Sequence, residues 1–480
     1  MSSEPWRSGC GEAAADVAAE LAEWAAGPAI PLTPLLRQRA TDALIDIIGC
    51  MIAGAGDPST RGVLNAVRSF GAGRALAFGT AERLPGPWAA LVSGTAAHAL
   101  DFDDNFAPAF THATAVSAPA LLVLADELDA TGERLLDAYV VGLELQARIS
   151  RLLNPRHYEK GWHATATIGA IGTAGACARL LGLGPAGILA ALSIASSLAG
   201  GSKAQFGSPM KSIHAGLAAK NAVLAARLAE AGITGTAEPF ASEMGLQGLM
   251  ADGATQDQAE QALEGLGTSF ALASHGLLVK RFPCCGAAHK TLDGIAALRE
   301  AHRFEPEEVE RVVTTIPALF RQNLRFDHPR TETEARFSLT YCAARVLRTG
   351  RLTLADMTPK RVNEPGLAPW LDKIRVVADP ADWRGIEAIV ETRIDLVDGR
   401  SVTIAVGEVK GSASHPLTAE ELAMKFEDCC RWAGRSDAEP YAIAREFATT
   451  GSVSETAFRL QEILFDCRSR LTQAVGPSCP

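Results

Sequence analysis

Residues 164–199 read ATATIGAIGTAGACARLLGLGPAGILAALSIASSLA. This stretch offers three folds, and two of them fail on its own residues. It overlaps the longest uncharged run, Leu180 to Ser202, but Gly182, Gly184 and Pro185 break the start of that run and Gly200-Gly201 its end. The helical part, Ala186 to Ala199, is 14 residues, too short for a bilayer core of about 30 Å. Gly182-Leu-Gly-Pro-Ala-Gly187 matches GxGxxG, but no strand precedes it and a proline sits inside it, so a dinucleotide-binding turn is excluded. What remains is two buried helices, 164–181 and 186–199, joined by a glycine-rich loop. Their Ala and Gly faces let helices approach closely.

The same texture extends upstream and a little downstream. Thr33-Pro34 is a cap followed by a first-turn proline. Leu36, Ala40, Leu44, Ile47, Ile48 and Met51 follow at helical spacing up to Gly54. Further helices are read at 88–100, 118–128, 135–153 and 212–231, the last closed by Gly232. Across all 480 residues 48% are hydrophobic and 21% charged, while only 6% are aromatic and 44 are Gly. This is a globular composition with a core of small side chains, and it excludes a disordered chain. The formal net charge of −10 makes nucleic acid and anionic membrane poor partners. Glu4, Glu12 and Asp16 interrupt the N-terminus, so no signal peptide is read. Ten cysteines without CxxC spacing fit free thiols in a reducing cytoplasm.

Near Gly267 the pattern changes. Glu310–Ile316 (ERVVTTI) and Lys373–Ala378 read as strands, and Ile389–Val397 and Ser401–Val406 form a hairpin about Asp398-Gly399. Helices at 286–301 and 334–347 lie among them. Helical character then returns: Thr418 with Glu421 forms a capping box for 419–432, and 454–474 is a last helix. The expected fold is mainly α. Residues 1–267 form the first part of a large all-helical domain, 268–413 an inserted smaller α+β domain, and 414–480 a helical segment returning to the first domain.

Chemistry concentrates in a few places. His98-Ala-Leu-Asp-Phe-Asp-Asp-Asn105 ends a helix with Asp101, Asp103 and Asp104, where carboxylates oppose the helix dipole. A DDxxD motif fails, since residues 103–107 read Asp-Asp-Asn-Phe-Ala, and no second acidic cluster faces it, so no metal is expected. His112, His163 and Lys211 each precede a helix. Such ends attract anions and depress a histidine's pKa, leaving it able to take a proton. Lys280-Arg281-Phe-Pro-Cys-Cys-Gly286 is a second basic cluster. Cys285 has basic neighbours but no Cys–His–Asp arrangement in sequence. The GxxxxGK[ST], HExxH and GxSxG motifs are all missing from the sequence, and nothing demands a cofactor.

Seven stretches, taken together, resemble the MmgE/PrpD family: 94–105 (GTAAHALDFDDN), 111–126 (THATAVSAPALLVLAD), 161–175 (GWHATATIGAIGTAG), 210–225 (MKSIHAGLAAKNAVLA), 278–294 (LVKRFPCCGAAHKTLDG), 328–341 (HPRTETEARFSLTY) and 415–429 (HPLTAEELAMKFEDC). The family includes 2-methylcitrate dehydratases, cis-aconitate decarboxylases and iminodisuccinate epimerases. The resemblance implies a helical domain built from both chain ends, an inserted α+β lid, an active site in the cleft between them, a homodimer, and no metal or organic cofactor. Carried over by position, it places Asp101, His112, His163, Lys211 and Lys280 at the substrate as catalytic residues. Asn105, His214 and Arg281 are expected to help bind it. In two places the chain departs from the decarboxylase branch: Asn105 replaces the threonine of DFDDT, and 317–330 (PALFRQNLRFDHPR) holds Arg321 and Arg325 but no tyrosine.

The expected reaction makes or breaks a C–H bond next to a carboxylate of a small di- or tricarboxylic acid. Cations stabilise the enediolate-like transition state, and two histidines serve as base and acid. The expected order is a 2-methylcitrate dehydratase-like hydro-lyase, then an epimerase of a substituted succinate, then a decarboxylase. The reading from another class is a non-catalytic carboxylate-binding helical protein.

Overall fold

A computed structural model describes residues 17–241, 243–253, 256–381, 388–435 and 439–465. The long helices, in chain order, are α1 (Val17–Ala25), α2 (Pro34–Gly54), α3 (Pro58–Val67), α4 (Gly86–His98), α5 (Ala113–Leu128), α6 (Gly132–Leu153), α7 (Ile168–Leu180), α8 (Pro185–Leu198) and α9 (Met210–Glu230). The two helices of the opening stretch are therefore α7 and α8, joined across Gly182, whose φ is 78°. The Thr33 side chain caps α2 by accepting from the Leu36 N–H. No described helix is long and apolar enough to cross a membrane.

Small residues decide how these helices pack. A Cβ on Gly216 of α9 would lie 2.3 Å from Leu91 O and from Thr95 Oγ1 of α4, and one on Gly94 would lie 2.9 Å from the Gly216 Cα. Only glycine permits that backbone approach. The contact runs antiparallel, so the C-terminal end of α4, with His98, meets the N-terminal end of α9, with Lys211.

Past residue 267 come α10 (His289–His302), β1 (Val309–Pro317), α11 (Leu339–Thr349), β2 (Ile374–Asp379), β3 (Val390–Leu396) and β4 (Ser401–Val406). They make a four-stranded sheet in the order β2-β1-β3-β4, parallel between β1 and β2 and otherwise antiparallel. A register shift between Val309 and Arg311 lets both Val309 and Val312 face inward despite their odd spacing. Three helices end the described chain: α12 (Ala419–Trp432), α13 (Glu439–Glu446) and α14 (Val453–Phe465). Both bonds of the Thr418–Glu421 capping box are present. The part of the expected last helix beyond 465 lies outside the described residues.

The described residues form two hydrophobic cores. One joins residues of α1–α9 with Leu422, Phe426, Ile443 and Leu460 of the last three helices. The other gathers Phe282 through Leu371 with the sheet residues Ile374, Val390, Ile394 and Leu396. The chain passes between them twice at one place, where Val279 N–H donates to Gly411 O.

Four elements differ from the sequence reading. Helix α5 starts at Ala113 and not at 118, so Pro119 lies inside it; the His112 N–H bond to Thr165 Oγ1 holds the chain at this start. His163 stands five residues before α7, separated from it by a turn in which Ala166 and Thr167 N–H groups donate to His163 O. Lys211 is in the first turn of α9, not ahead of it. The helix expected over 334–347 is two helices, Glu332–Arg336 and α11. Ser338 breaks it by capping α11 through Tyr341 N–H, and the break turns Phe337 toward Phe206.

Candidate active site

The loop after α4 is the centre of the site. Asp101 adopts φ 51°, a left-handed conformation uncommon for a residue with a Cβ. Its backbone is held there by Lys280, whose Nζ donates to Asp101 O at 2.9 Å and lies 3.2 Å from Oδ1. Lys211 Nζ is 2.5 Å from the same Oδ1. One buried carboxylate thus holds two buried ammonium groups from distant parts of the chain. Burial alone would raise the Asp101 pKa, but Lys211 and Lys280, with His112 and His98, hold it well below the carboxylate range. Burial would lower the Lys280 pKa, but Asp101 and Asp103 hold it above its ordinary value.

Asp103 plays the matching part for the imidazoles. Its Oδ1 is 2.8 Å from His98 Nδ1 and its Oδ2 is 3.0 Å from His112 Nδ1. His112 Nδ1 is also 2.9 Å from Asp104 O. A carbonyl oxygen only accepts, so this nitrogen carries the proton and Nε2 keeps its lone pair. Burial first, and then the Lys211 ammonium, push His112 down to about 3. The same two causes, in the same order, hold His163 well below its ordinary value. Burial and lysine charge therefore do the work that the sequence argument gave to helix dipoles. His163 Nδ1 lies 3.1 Å from His214 Nδ1. One ring must donate and the other accept, so the tautomer of His214 fixes whether the far nitrogen of His163 is a donor or an acceptor.

His112, His163, Lys211 and Asn105 line one cavity of about 140 Å³, with Tyr158, Phe206, Asn323 and Phe337 among its other walls. Lys211 Nζ is 5.0 Å from the Phe337 ring centre. Asp101, Lys280 and His214 do not line this cavity. Asp101 and Lys280 lie behind Lys211, and His214 lies behind His163. Arg281 is not brought to it: the side chain is half exposed and pairs with Asp293 at 3.1 Å. Sequence reasoning missed His98 and Asp103 as partners, although both lie in the quoted 94–105 stretch. It also missed Tyr158, whose only signal is its place five residues before His163.

His98, Asp101, Asp103 and His112 each put a possible ligand atom within 4.8 Å of the others. The lysine ammoniums compete with any cation for the Asp101 oxygens. Cys285 also lines the cavity, but burial pushes its thiol up to about 11, which leaves almost no thiolate at neutral pH. Replacing Cys285 with serine should leave turnover close to that of the parent chain in a steady-state assay; loss of all activity would establish a thiol nucleophile.

The MmgE/PrpD N-terminal domain model matches residues 19–259, and the MmgE/PrpD C-terminal domain model matches residues 282–446. The chain is 30% identical over 410 residues to cis-aconitate decarboxylase of Homo sapiens, covering 83% of this chain and 81% of that protein. It is 31% identical over 357 residues to cis-aconitate decarboxylase of Mus musculus, covering 72% of each. An Aspergillus oryzae protein named cis-aconitate decarboxylase-like is 27% identical over 442 residues, 86% of this chain and 90% of that one.

Proposed function

This chain belongs to the MmgE/PrpD family, and from that premise we propose that it is a lyase acting on a small polycarboxylic acid, with cis-aconitate as the leading substrate. The observation that carries this reading is the cavity shared by His112, His163 and Lys211, with Asp101 and Lys280 behind it. The relatives named for cis-aconitate decarboxylation move that reaction ahead of the dehydration expected from the motifs.

In that reaction the C–C bond to one carboxylate breaks and its electron pair forms a new double bond. The old π pair moves to the carbon beside a remaining carboxylate, CO2 leaves, and a proton closes that carbon. The intermediate is an enediolate, negative where the substrate was already negative. The Lys211 ammonium, fixed by Asp101 and reinforced by Lys280, stabilises it. An imidazole supplies the proton. Both are neutral in the free protein, and a bound polyanion raises their proton affinity by placing carboxylates against them. The part of the chain built on the second core would close over the substrate as a lid. Dehydration of a 2-methylcitrate-like hydroxy acid is the second reading, because the same two imidazoles supply a base and an acid.

A panel of cis-aconitate, citrate, 2-methylcitrate and iminodisuccinate in D2O, followed by NMR, tests the reading. The expected result is CO2 release from cis-aconitate with one deuterium on the carbon beside a carboxylate of the product. Water loss from 2-methylcitrate alone would replace decarboxylation with the second reading. Binding with neither exchange nor product would make the protein a carboxylate binder.

A further inference from the structure

We propose that Tyr158 and Asn323 form a recognition pair that binds the substrate carboxylate farthest from Lys211, an inference that rests on the polycarboxylate reading of the cavity. The two residues come from opposite cores, 165 positions apart, and meet at the cavity wall with Asn323 Nδ2 3.2 Å from the Tyr158 hydroxyl. Asn323 is 8% exposed, yet its Oδ1 has no partner. Buried amides are rarely left so. Whichever way the amide is turned, the bond between the pair uses one of three N–H and O–H protons. Two donors remain for a ligand.

The phenol is held as a binding group is held. Lys203 Nζ stands 3.6 Å from its ring centre, and the Phe110 ring packs against it at 5.5 Å. The cation polarises the ring and strengthens the hydroxyl as a donor. Burial pushes its pKa up, so it keeps its proton. The cations of the neighbouring segment are engaged elsewhere: Arg321 with Asp327 at 2.7 Å and Arg325 with Phe206 O. The cavity thus meets a neutral donor pair at this wall. A neutral pair can hold a second carboxylate without charge repulsion toward Lys211 and the imidazoles.

The test is calorimetric binding of tricarballylate and butyrate to the full chain, its Tyr158→Phe variant and its Asn323→Leu variant, each checked for fold by circular dichroism. Both variants should weaken tricarballylate by about 10–100-fold and leave butyrate, which has no far carboxylate, within about twofold. On the turned-over acid, Tyr158→Phe should raise KM more than it lowers kcat. Equal weakening of both ligands, or no change in either, would overturn the proposal, and Asn323→Leu decides alone if Tyr158→Phe does not fold. Selective weakening in a chain that exchanges no deuterium would remove the lyase reading and keep the recognition pair. A parent chain that binds no tricarballylate removes both.

Discussion

Turnover should fall by about 10²–10⁴-fold when Lys211 is replaced by alanine, with the chain still folded. The ammonium sits on the cavity wall beside the two imidazoles, where its charge can stabilise a developing enediolate. The loss should therefore appear in kcat more than in KM, since the intermediate carries more charge at that carbon than the substrate does. The fold should survive because Asp101 keeps the Lys280 ammonium 3.2 Å from its Oδ1 and 2.9 Å from its carbonyl. His112→Ala should cost a similar factor by a different route, since it removes the ring whose Nε2 lone pair is left free by the Asp104 carbonyl. Steady-state kinetics on the acid identified by the D2O panel, with circular dichroism on each variant, checks both. Near-parent kcat in a folded Lys211→Ala chain would remove the lysine from the reaction.

Asp101→Asn sharpens the comparison. It leaves two buried ammonium groups beside each other without their countercharge, and removing one partner of a buried pair typically costs about 3–5 kcal/mol. This variant should lose stability as well as turnover, and Lys211→Ala mainly turnover.

Much of this arrangement was legible from local signals. The caps at Thr33 and Thr418, the Asp398-Gly399 turn and the small-residue helices act within a few residues, and each forms where its motif stands. The readings that failed were overridden at long range. Residues 334–347 have helical periodicity, but Ser338 finds the Tyr341 N–H and Phe337 is needed against Phe206. Lys280 and Arg281 look alike in sequence. In the extended stretch after Leu278 neighbouring side chains point to opposite sides, so Lys280 reaches Asp101 and Arg281 faces Asp293. His112 and Lys211 were found because a cation at a helix start is a local anomaly. Tyr158 and Asn323 carry no such anomaly, and only the meeting of the two cores makes them a pair.

The chain should unfold steeply in mild acid, over a range where most globular proteins are stable. Six histidines, five of them buried and His112 partly so, are held below their ordinary pKa, in each case first by burial: His112 and His289 to about 3, His157 and His214 to about 4, with His98 and His163 lowered as well. In the unfolded chain each takes a proton near pH 6.5. Between those values the unfolded state holds more protons, so stability falls as pH falls, by about 1.4 kcal/mol per pH unit for each histidine. Asp104 works in the opposite sense. Burial raises it to about 7, so from there down to its ordinary value the folded state holds a proton that the unfolded state has lost, and stability rises as pH falls. Burial also raises Asp42, Asp46, Asp126, Asp293 and Asp428, which oppose the fall in the same way just above the ordinary carboxylate range, so the imidazoles dominate the upper part of the window. Each uncompensated proton weighs about 1.4 kcal/mol per pH unit against a typical domain stability of about 5–15 kcal/mol. Urea midpoints measured from pH 7 to pH 4.5 should drop accordingly, and Asp104→Asn should steepen the drop by one proton. A midpoint that moves by less than one proton's worth over that range would mean that the imidazoles are not held neutral. The base assigned to His112 would then lose its physical ground.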